Sequence, residues 1–151
     1  MRIVAQRVTR AAVRVDGEEL GSIGRGAVLL VGIGEGDTPA LVDRMADKLL
    51  GLRWFDDAEG RANLGIGEVE GAYLVVSQFT LYADLRRGRR PGFTDAAAPG
   101  LASPLVDRFA ARLRAAGTQV ETGRFGAMME VELVNDGPFT LVLDSARDVA
   151  G

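Results

Sequence analysis

The pattern of hydrophobic and polar positions predicts a β-rich chain. β-branched and apolar residues dominate residues 3–15, an Asp16-Gly17 turn follows, and another apolar run covers residues 27–31. Further strands are predicted at residues 73–78, 119–121, 129–134 and 139–143. Apolar and acidic side chains alternate over residues 129–133, as in a strand with one solvated face.

Helical spacing of apolar residues predicts two main helices. We expect the first to begin at Thr38 and Pro39, and the second at an N-cap Ser103 with Pro104 in its first turn and Gly117 at its end. Their apolar faces are Leu41, Met45, Leu49 and Leu52 in the first, and Leu105, Phe109, Leu113 and Ala116 in the second. We interpret both faces as core packing. The chain is therefore predicted to be one α+β domain with an antiparallel or mixed sheet.

Composition narrows the possible chemistry. The 151 residues are 47% hydrophobic, enough for one domain with a real core, and include neither His nor Cys. The lack of His and Cys excludes a Ser-His-Asp triad, a Cys nucleophile, a His/Cys zinc site and a thiol redox centre. We expect no metal and no cofactor. No apolar run approaches the roughly 18 residues of a membrane helix, and the start does not resemble a signal peptide, so we expect a cytoplasmic protein without a membrane partner.

Residues Ser77, Gln78, Phe79 and Thr80 follow an apolar run and are the first candidates for chemistry. Backbone N–H groups at such a strand end could hold a developing oxyanion. Thr80 could instead be a nucleophile, although the chain has no His to activate it. The alternative is an ordinary strand end whose hydroxyls bond nearby backbone.

The segment 135–140 is the second candidate, because Gly137 and Pro138 interrupt two predicted strands. A hairpin turn is one interpretation. The other is a cis Gly137-Pro138 bond, which could aim two successive carbonyls at an ammonium group.

Four cations surround Gly88 in a chain whose net charge is only −3, namely Arg86, Arg87, Arg89 and Arg90. Guanidinium groups match phosphate oxygens, so this arginine loop is predicted either to contact phosphate or to be a solvated basic turn.

Four motifs in this order and spacing carry a resemblance to a known family. They are residues 77–84 (SQFTLYAD), 88–91 (GRRP), 123–127 (GRFGA) and 135–138 (NDGP). Together with the start of the chain they resemble D-aminoacyl-tRNA deacylase over almost the whole sequence.

The resemblance implies a barrel-like fold and a homodimeric enzyme. Its substrates would be D-aminoacyl-tRNA and glycyl-tRNA mischarged on tRNA-Ala, and it would take part in translation quality control without binding DNA. A Gly-cis-Pro element, Gly137 and Pro138, would reach from one protomer into its partner's pocket and present carbonyls to the substrate ammonium, with Arg7 bracing it. Residues 77–80 would form the opposite catalytic wall, and the tRNA 2′-hydroxyl would assist the attacking water. Phe125 and Met129 would enclose the terminal adenosine.

Two rival functions remain at this stage. One is a non-catalytic RNA-binding module that uses the arginine loop; the other is a hydrolase with Asp84 or Asp136 as base. Four residues depart from the family pattern, namely Leu85, Arg87, Gly92 and Met128. Of these, Leu85 and Arg87 leave the contacts of the tRNA-facing loop open.

Overall fold

The structure is a computed structural model that describes residues 1–149; the last two residues of the predicted domain lie outside it. Within the described part the strands are β1 (Arg2–Val15), β2 (Glu18–Ile23), β3 (Gly26–Gly32), β4 (Phe55–Asp56), β5 (Ala62–Leu64), β6 (Ala72–Ser77), β7 (Gln119–Thr122) and β8 (Glu130–Asp144). The helices are α1 (Pro39–Leu50), α2 (Pro99–Ala115), a short α3 (Ser145–Asp148) and a 3₁₀ helix (Phe79–Tyr82). None of these helices is long and apolar enough to cross a membrane.

The long strand β1 organises the main sheet. One edge of β1 pairs with β8 along nearly its whole length, and the other pairs with β3 and then with β2, all antiparallel. β6 adds to β3 and β7 adds to β6, both parallel. A Cβ atom placed on Gly21 of β2 would lie 3.1 Å from the Glu121 Cβ of β7, so the two ends of the sheet approach each other. The predicted α+β fold with a mixed, barrel-like sheet is confirmed, and the sheet is nearly closed.

The two main helices pack against each other. Of the predicted apolar faces, Met45, Leu49, Leu105, Phe109 and Leu113 are buried, whereas Leu52 lies beyond the end of α1 and Ala116 is exposed beyond the end of α2. The predicted start of α1 is confirmed, and Thr38 caps the helix by accepting a hydrogen bond from the Leu41 N–H. The predicted start of α2 is wrong, because the helix begins at Pro99 and contains Pro104 in its interior. Pro99 fits the first turn equally well, since the N–H groups of that turn have no helical acceptor. The end of α2 is confirmed, with Gly117 at φ +90° just beyond it.

The interpretation of Gly137-Pro138 as a hairpin turn is also wrong, because the strands predicted at residues 129–134 and 139–143 are parts of one strand. β8 is one strand, and its pairing with β1 shifts register on both sides of Val8, leaving residues 136–139 without partners on β1. The segment is therefore a bulge. The expected cis Gly137-Pro138 bond is wrong too, because no peptide bond in residues 1–149 is cis. The trans bond is the more stable form, and Gly137 makes the bend instead at φ +109°.

Candidate active site

The end of β6 carries the first group of candidate residues. Ser77 is the last residue of β6 and pairs with Val31 of β3, and the Gln78 N–H donates to the Val31 carbonyl at 2.7 Å. The chain then turns into the 3₁₀ helix, whose Tyr82 ring packs so close to Gly34 that a Cβ there would lie 2.9 Å from it. Gly32 at the end of β3 and Gly34 just beyond it thus let the 3₁₀ helix lie directly against the sheet.

The 3₁₀ helix begins with backbone donors that have no acceptor. The N–H groups of Leu81 and Ala83 donate to the carbonyls of Gln78 and Thr80. The N–H groups of Phe79 and Thr80 donate to no acceptor among residues 1–149. Helix starts leave such orphan donors, and here two are successive. They can stabilise the negative oxygen that forms when an ester is attacked.

The Thr80 hydroxyl is less suited to act as a nucleophile. Its oxygen accepts a hydrogen bond from the Gln78 side-chain amide. An amide cannot take a proton from a hydroxyl, so nothing in this contact activates Thr80.

These residues line an apolar groove of about 750 Å³. Its walls are residues 77–80, residues 96–99 and residues 125–129, together with Phe93 and apolar side chains of β3, β6, α2 and β8. The structure thus brings Phe125 and Met129 to the catalytic candidates, as expected. Among residues 1–149, none of those that line the groove is charged. A volume of this size suits one small ligand such as an aminoacyl-nucleoside.

Gly137, Pro138 and Arg7 form a second cluster that does not line this groove. Both bulge residues are exposed, whereas the Arg7 side chain is only 5% exposed. Its guanidinium donates to the carbonyls of Trp54 at 2.8 Å and Asp136 at 3.2 Å. A Cβ on Gly137 would lie 2.6 Å from Arg7 Nη2, so only glycine leaves room for the guanidinium. Arg7 therefore fixes the bulge from beneath.

Asn135 holds the same bulge from its flanks. Its side-chain amide donates to the carbonyls of Arg7 at 2.8 Å and Phe139 at 3.0 Å, while its oxygen accepts from the Thr140 hydroxyl at 3.3 Å. These bonds join the two ends of the bulge. The sequence singled out Asn135 only by its neighbours and did not predict this role.

The arginine loop closes on itself beside the groove. The backbones of Asp84 and Gly92 exchange hydrogen bonds of 2.7 and 3.0 Å, and Phe93 follows directly. Arg86 binds the Asp84 carboxylate with two nitrogens, both at 2.8 Å. Arg86 is therefore a brace of the loop, a role that the sequence did not predict.

The other arginines of this loop are free for a ligand. Arg87, Arg89 and Arg90 are exposed and make no hydrogen bond or ion pair with the described residues. Two residues that depart from the family pattern are also exposed, Leu85 at 72% and Met128 at 90%. Neither change disturbs packing.

The two carboxylates proposed as alternative bases, Asp84 and Asp136, both lie against arginine side chains. The Arg86 guanidinium hydrogen-bonded to Asp84 holds the pKa of that carboxyl well below its usual range. Asp136 lies 3.4 Å from the Arg7 guanidinium. Neither carboxylate lines the groove, so neither is placed as a base.

Phe93 was missed by the sequence analysis. Its ring packs against Phe79 with centroids 5.0 Å apart, and both rings line the groove. No sequence periodicity predicts a contact between residues 79 and 93, because they meet only when the loop between them folds.

Known proteins are similar to this chain over nearly its whole length. The profile of a family described as D-Tyr-tRNA(Tyr) deacylase matches residues 4–144. A D-aminoacyl-tRNA deacylase of Roseiflexus sp. (strain RS-1) is 58% identical over 97% of this chain and 94% of that protein. A second one, of Chloroflexus aurantiacus (strain ATCC 29364 / DSM 637 / Y-400-fl), is 58% identical over 97% of this chain and 92% of that protein.

Two solved structures share the fold. One is titled c-Myc DNA Unwinding Element Binding Protein and superimposes with a TM-score of 0.89 at 38% identity, covering 95% of this chain and 98% of that one. The other is titled as a probable eukaryotic D-amino acid tRNA deacylase, with a TM-score of 0.82 at 20% identity over 94% and 97% of the two chains. At that identity the likeness concerns the fold alone.

The class of protein follows from these matches: the chain is a hydrolase that acts on ester bonds. More particularly, it belongs to the D-aminoacyl-tRNA deacylase family, which the family profile and the similar relatives match over nearly its full length.

Proposed function

We propose that the protein hydrolyses the ester bond of D-aminoacyl-tRNA, and of glycyl-tRNA mischarged on tRNA-Ala, as a cytoplasmic proofreading enzyme of translation. The observation that carries this proposal is the uncharged groove with two free, successive N–H donors at Phe79 and Thr80. Such a site stabilises an oxyanion without supplying a base. It suits an activated ester whose own ribose carries a neighbouring hydroxyl.

In the proposed reaction, water attacks the carbonyl carbon of the ester. The Phe79 and Thr80 N–H groups hold the oxyanion, and the bond between the carbonyl carbon and the ribose oxygen breaks. The ribose oxygen leaves with a proton, so the products are a free amino acid and intact tRNA. The neighbouring 2′-hydroxyl of the terminal adenosine, enclosed by Phe125 and Met129, positions the water.

The proposed enzyme is a homodimer in which the bulge of one protomer enters the groove of its partner. Gly137 and Pro138 are exposed, lack partners on β1 and do not line the groove of their own chain. Their carbonyls are acceptors suited to the substrate α-ammonium. A bulge held by Arg7 and Asn135 is rigid enough to fix that group.

Chiral selection follows from fixing two groups of the substrate. With the ammonium and the ester carbonyl both held, the side chains of D- and L-amino acids point in different directions, and the L side chain is rejected sterically. Glycine has no side chain to reject, so the same site accepts it.

The test is the rate of release of D-tyrosine, L-tyrosine and glycine from matched aminoacyl-tRNAs. We expect fast release of D-tyrosine and glycine while L-tyrosyl-tRNA is spared. Sedimentation of the same preparation tests the dimer. If no ester is hydrolysed faster than without protein, the deacylase proposal fails; retained tRNA binding would then favour a non-catalytic RNA-binding module that uses Arg87, Arg89 and Arg90.

A further inference from the structure

Two aromatic rings stand exposed at the groove. Phe79 is 57% exposed and Phe93 is 37% exposed, and their rings meet at 69° with centroids 5.0 Å apart. A single exposed apolar residue needs no explanation, but two in contact form a surface that a ligand can cover. The edge-to-face contact holds both rings in place while leaving ring surface open.

The surroundings of this pair indicate what covers it. Phe93 directly follows Gly92, one of the two residues that close the arginine loop, so the ring pair lies at the base of that loop. Arg89 and Arg90 lie a few residues away in the chain and bind no described residue. Aromatic rings beside free arginines are the combination that binds single-stranded nucleic acid, through stacked bases and paired phosphates.

The groove itself constrains where the RNA lies. Its volume of about 750 Å³ suits one aminoacyl-nucleoside, and no charged residue of the described part of the chain lines it. The phosphate that precedes the terminal adenosine would be unpaired inside such a groove, which is costly. The chain of the RNA must therefore leave the groove at a side where cations are present, and the arginine loop provides them.

We propose that Phe79 and Phe93 form a stacking subsite for the base of the nucleotide that precedes the terminal adenosine. The inference rests on the proposed function and extends it from the adenosine to the single-stranded end of the tRNA. The arginine loop pairs with the phosphates on either side of that nucleotide. The subsite makes the enzyme prefer an RNA ester to an adenosine ester of the same amino acid.

The experiment compares two substrates, D-tyrosine esterified to adenosine and D-tyrosine esterified to the trinucleotide CCA. For the wild type we expect kcat/KM to be higher for the trinucleotide. Phe93→Leu keeps apolar contact with Phe79 but removes an aromatic face, and it should lower the trinucleotide-to-adenosine ratio of kcat/KM by about ten-fold. Phe93→Tyr is the matched control and should keep the ratio within about two-fold of wild type.

A second measurement needs no variant. In a CCA trinucleotide with D-tyrosine joined by a stable amide, the ring protons of the middle base shift upfield in NMR spectra when that base stacks on the face of a phenylalanine ring. We expect this upfield shift when the wild type binds the probe. Binding without the shift overturns the subsite.

The other outcomes are also distinct. If the wild type hydrolyses both esters with equal kcat/KM, or if Phe93→Leu lowers both equally, the stacking subsite is wrong while the deacylase proposal stands. If Phe93→Leu instead dissociates the protein in sedimentation, the ring pair is an interface between copies of the chain, and the subsite is again wrong. If neither ester is hydrolysed, the proposed function itself fails.

Discussion

Replacing Arg7 by lysine is the sharpest test of how the bulge is held. The change keeps the positive charge but removes the planar fork that donates to both the Trp54 and the Asp136 carbonyls. A lysine ammonium is a single point and reaches one of these two acceptors. The other carbonyl loses its charged donor.

The magnitude follows from these contacts. Losing one partly buried hydrogen bond from a charged donor costs about 1.5–3 kcal/mol. Losing the guanidinium that lies 4.6 Å from the centre of the Phe139 ring costs about 0.5–1 kcal/mol more. The ion pairs to Asp56 and Asp136 add little, because those carboxylates are 48% and 39% exposed and lysine retains part of the attraction. We expect Arg7→Lys to lower the free energy of unfolding by about 3 kcal/mol.

The assay is urea denaturation. With a slope of about 2 kcal/mol per molar urea for a protein of this size, the midpoint should fall by about 1.5 M. Arg10→Lys is the matched control on the same strand, because Arg10 and its partner Glu132 are 62% and 49% exposed. It should change the free energy of unfolding by less than about 0.5 kcal/mol. Equal midpoints for the two variants would refute the structural role assigned to Arg7.

Four further predictions concern single residues. Gly137→Ala should cost about 1–2 kcal/mol of stability, because φ at this residue is +109° and the new Cβ would lie 2.6 Å from Arg7 Nη2. The rate of D-tyrosyl-tRNA deacylation should fall further than this loss of stability explains. An unchanged rate would remove the bulge from the mechanism. Thr80→Ala should retain deacylation within about ten-fold, whereas near-complete loss in a folded protein would identify Thr80 as the nucleophile. Asp84→Asn should leave the shape of the pH profile of kcat/KM unchanged, and loss of its acidic limb would identify Asp84 as a base. Hydrogen bonds from a neighbouring arginine and from the chain lower the pKa of Asp148 to about 2. A carboxyl whose pKa is lowered by folding contributes stability that is present above about pH 4 and is lost as the pH falls towards 2. The urea midpoint of Asp148→Asn should therefore fall less between pH 4.5 and 2.5 than the midpoint of the wild type. Equal falls in the two proteins would contradict this prediction.

Most of the fold could be predicted from the sequence because its determinants are local. Apolar periodicity marks the strands and helices, and the Asp16-Gly17 turn takes the positive φ values that its residues allow. The errors arose where two local patterns competed. Pro99 and Pro104 both suit a first helical turn, and only packing decides between them. Gly137 and Pro138 suit a turn, but pairing along β1 holds β8 together through the bulge.

Only part of the site could be predicted from the sequence, because its other contacts form only when distant segments of the chain meet in the fold. Residues 77–80 were found because they end an apolar strand, and Phe125 and Met129 were supplied by the family resemblance. Phe93 and the brace between Asp84 and Arg86 depend on how the arginine loop closes, which is a tertiary contact. The clusters around Phe79 and Gly137 line different surfaces of one chain. Sequence order cannot specify whether such clusters act within one chain or between two.

The distribution of charge connects these features to the proposed chemistry. Cations lie in the arginine loop and beneath the bulge, while the described residues that line the groove are all uncharged. A lysine or carboxylate in the groove would bind D- and L-aminoacyl esters through charge alone. It would also add a base that acts on both enantiomers. Backbone donors at Phe79 and Thr80 and backbone acceptors at Gly137 and Pro138 have fixed directions and no titration, so they favour one geometry of the substrate. In the proposed mechanism, selection between D and L is a consequence of building the site from main chain, and the arginines outside the groove add affinity for RNA without reducing that selection.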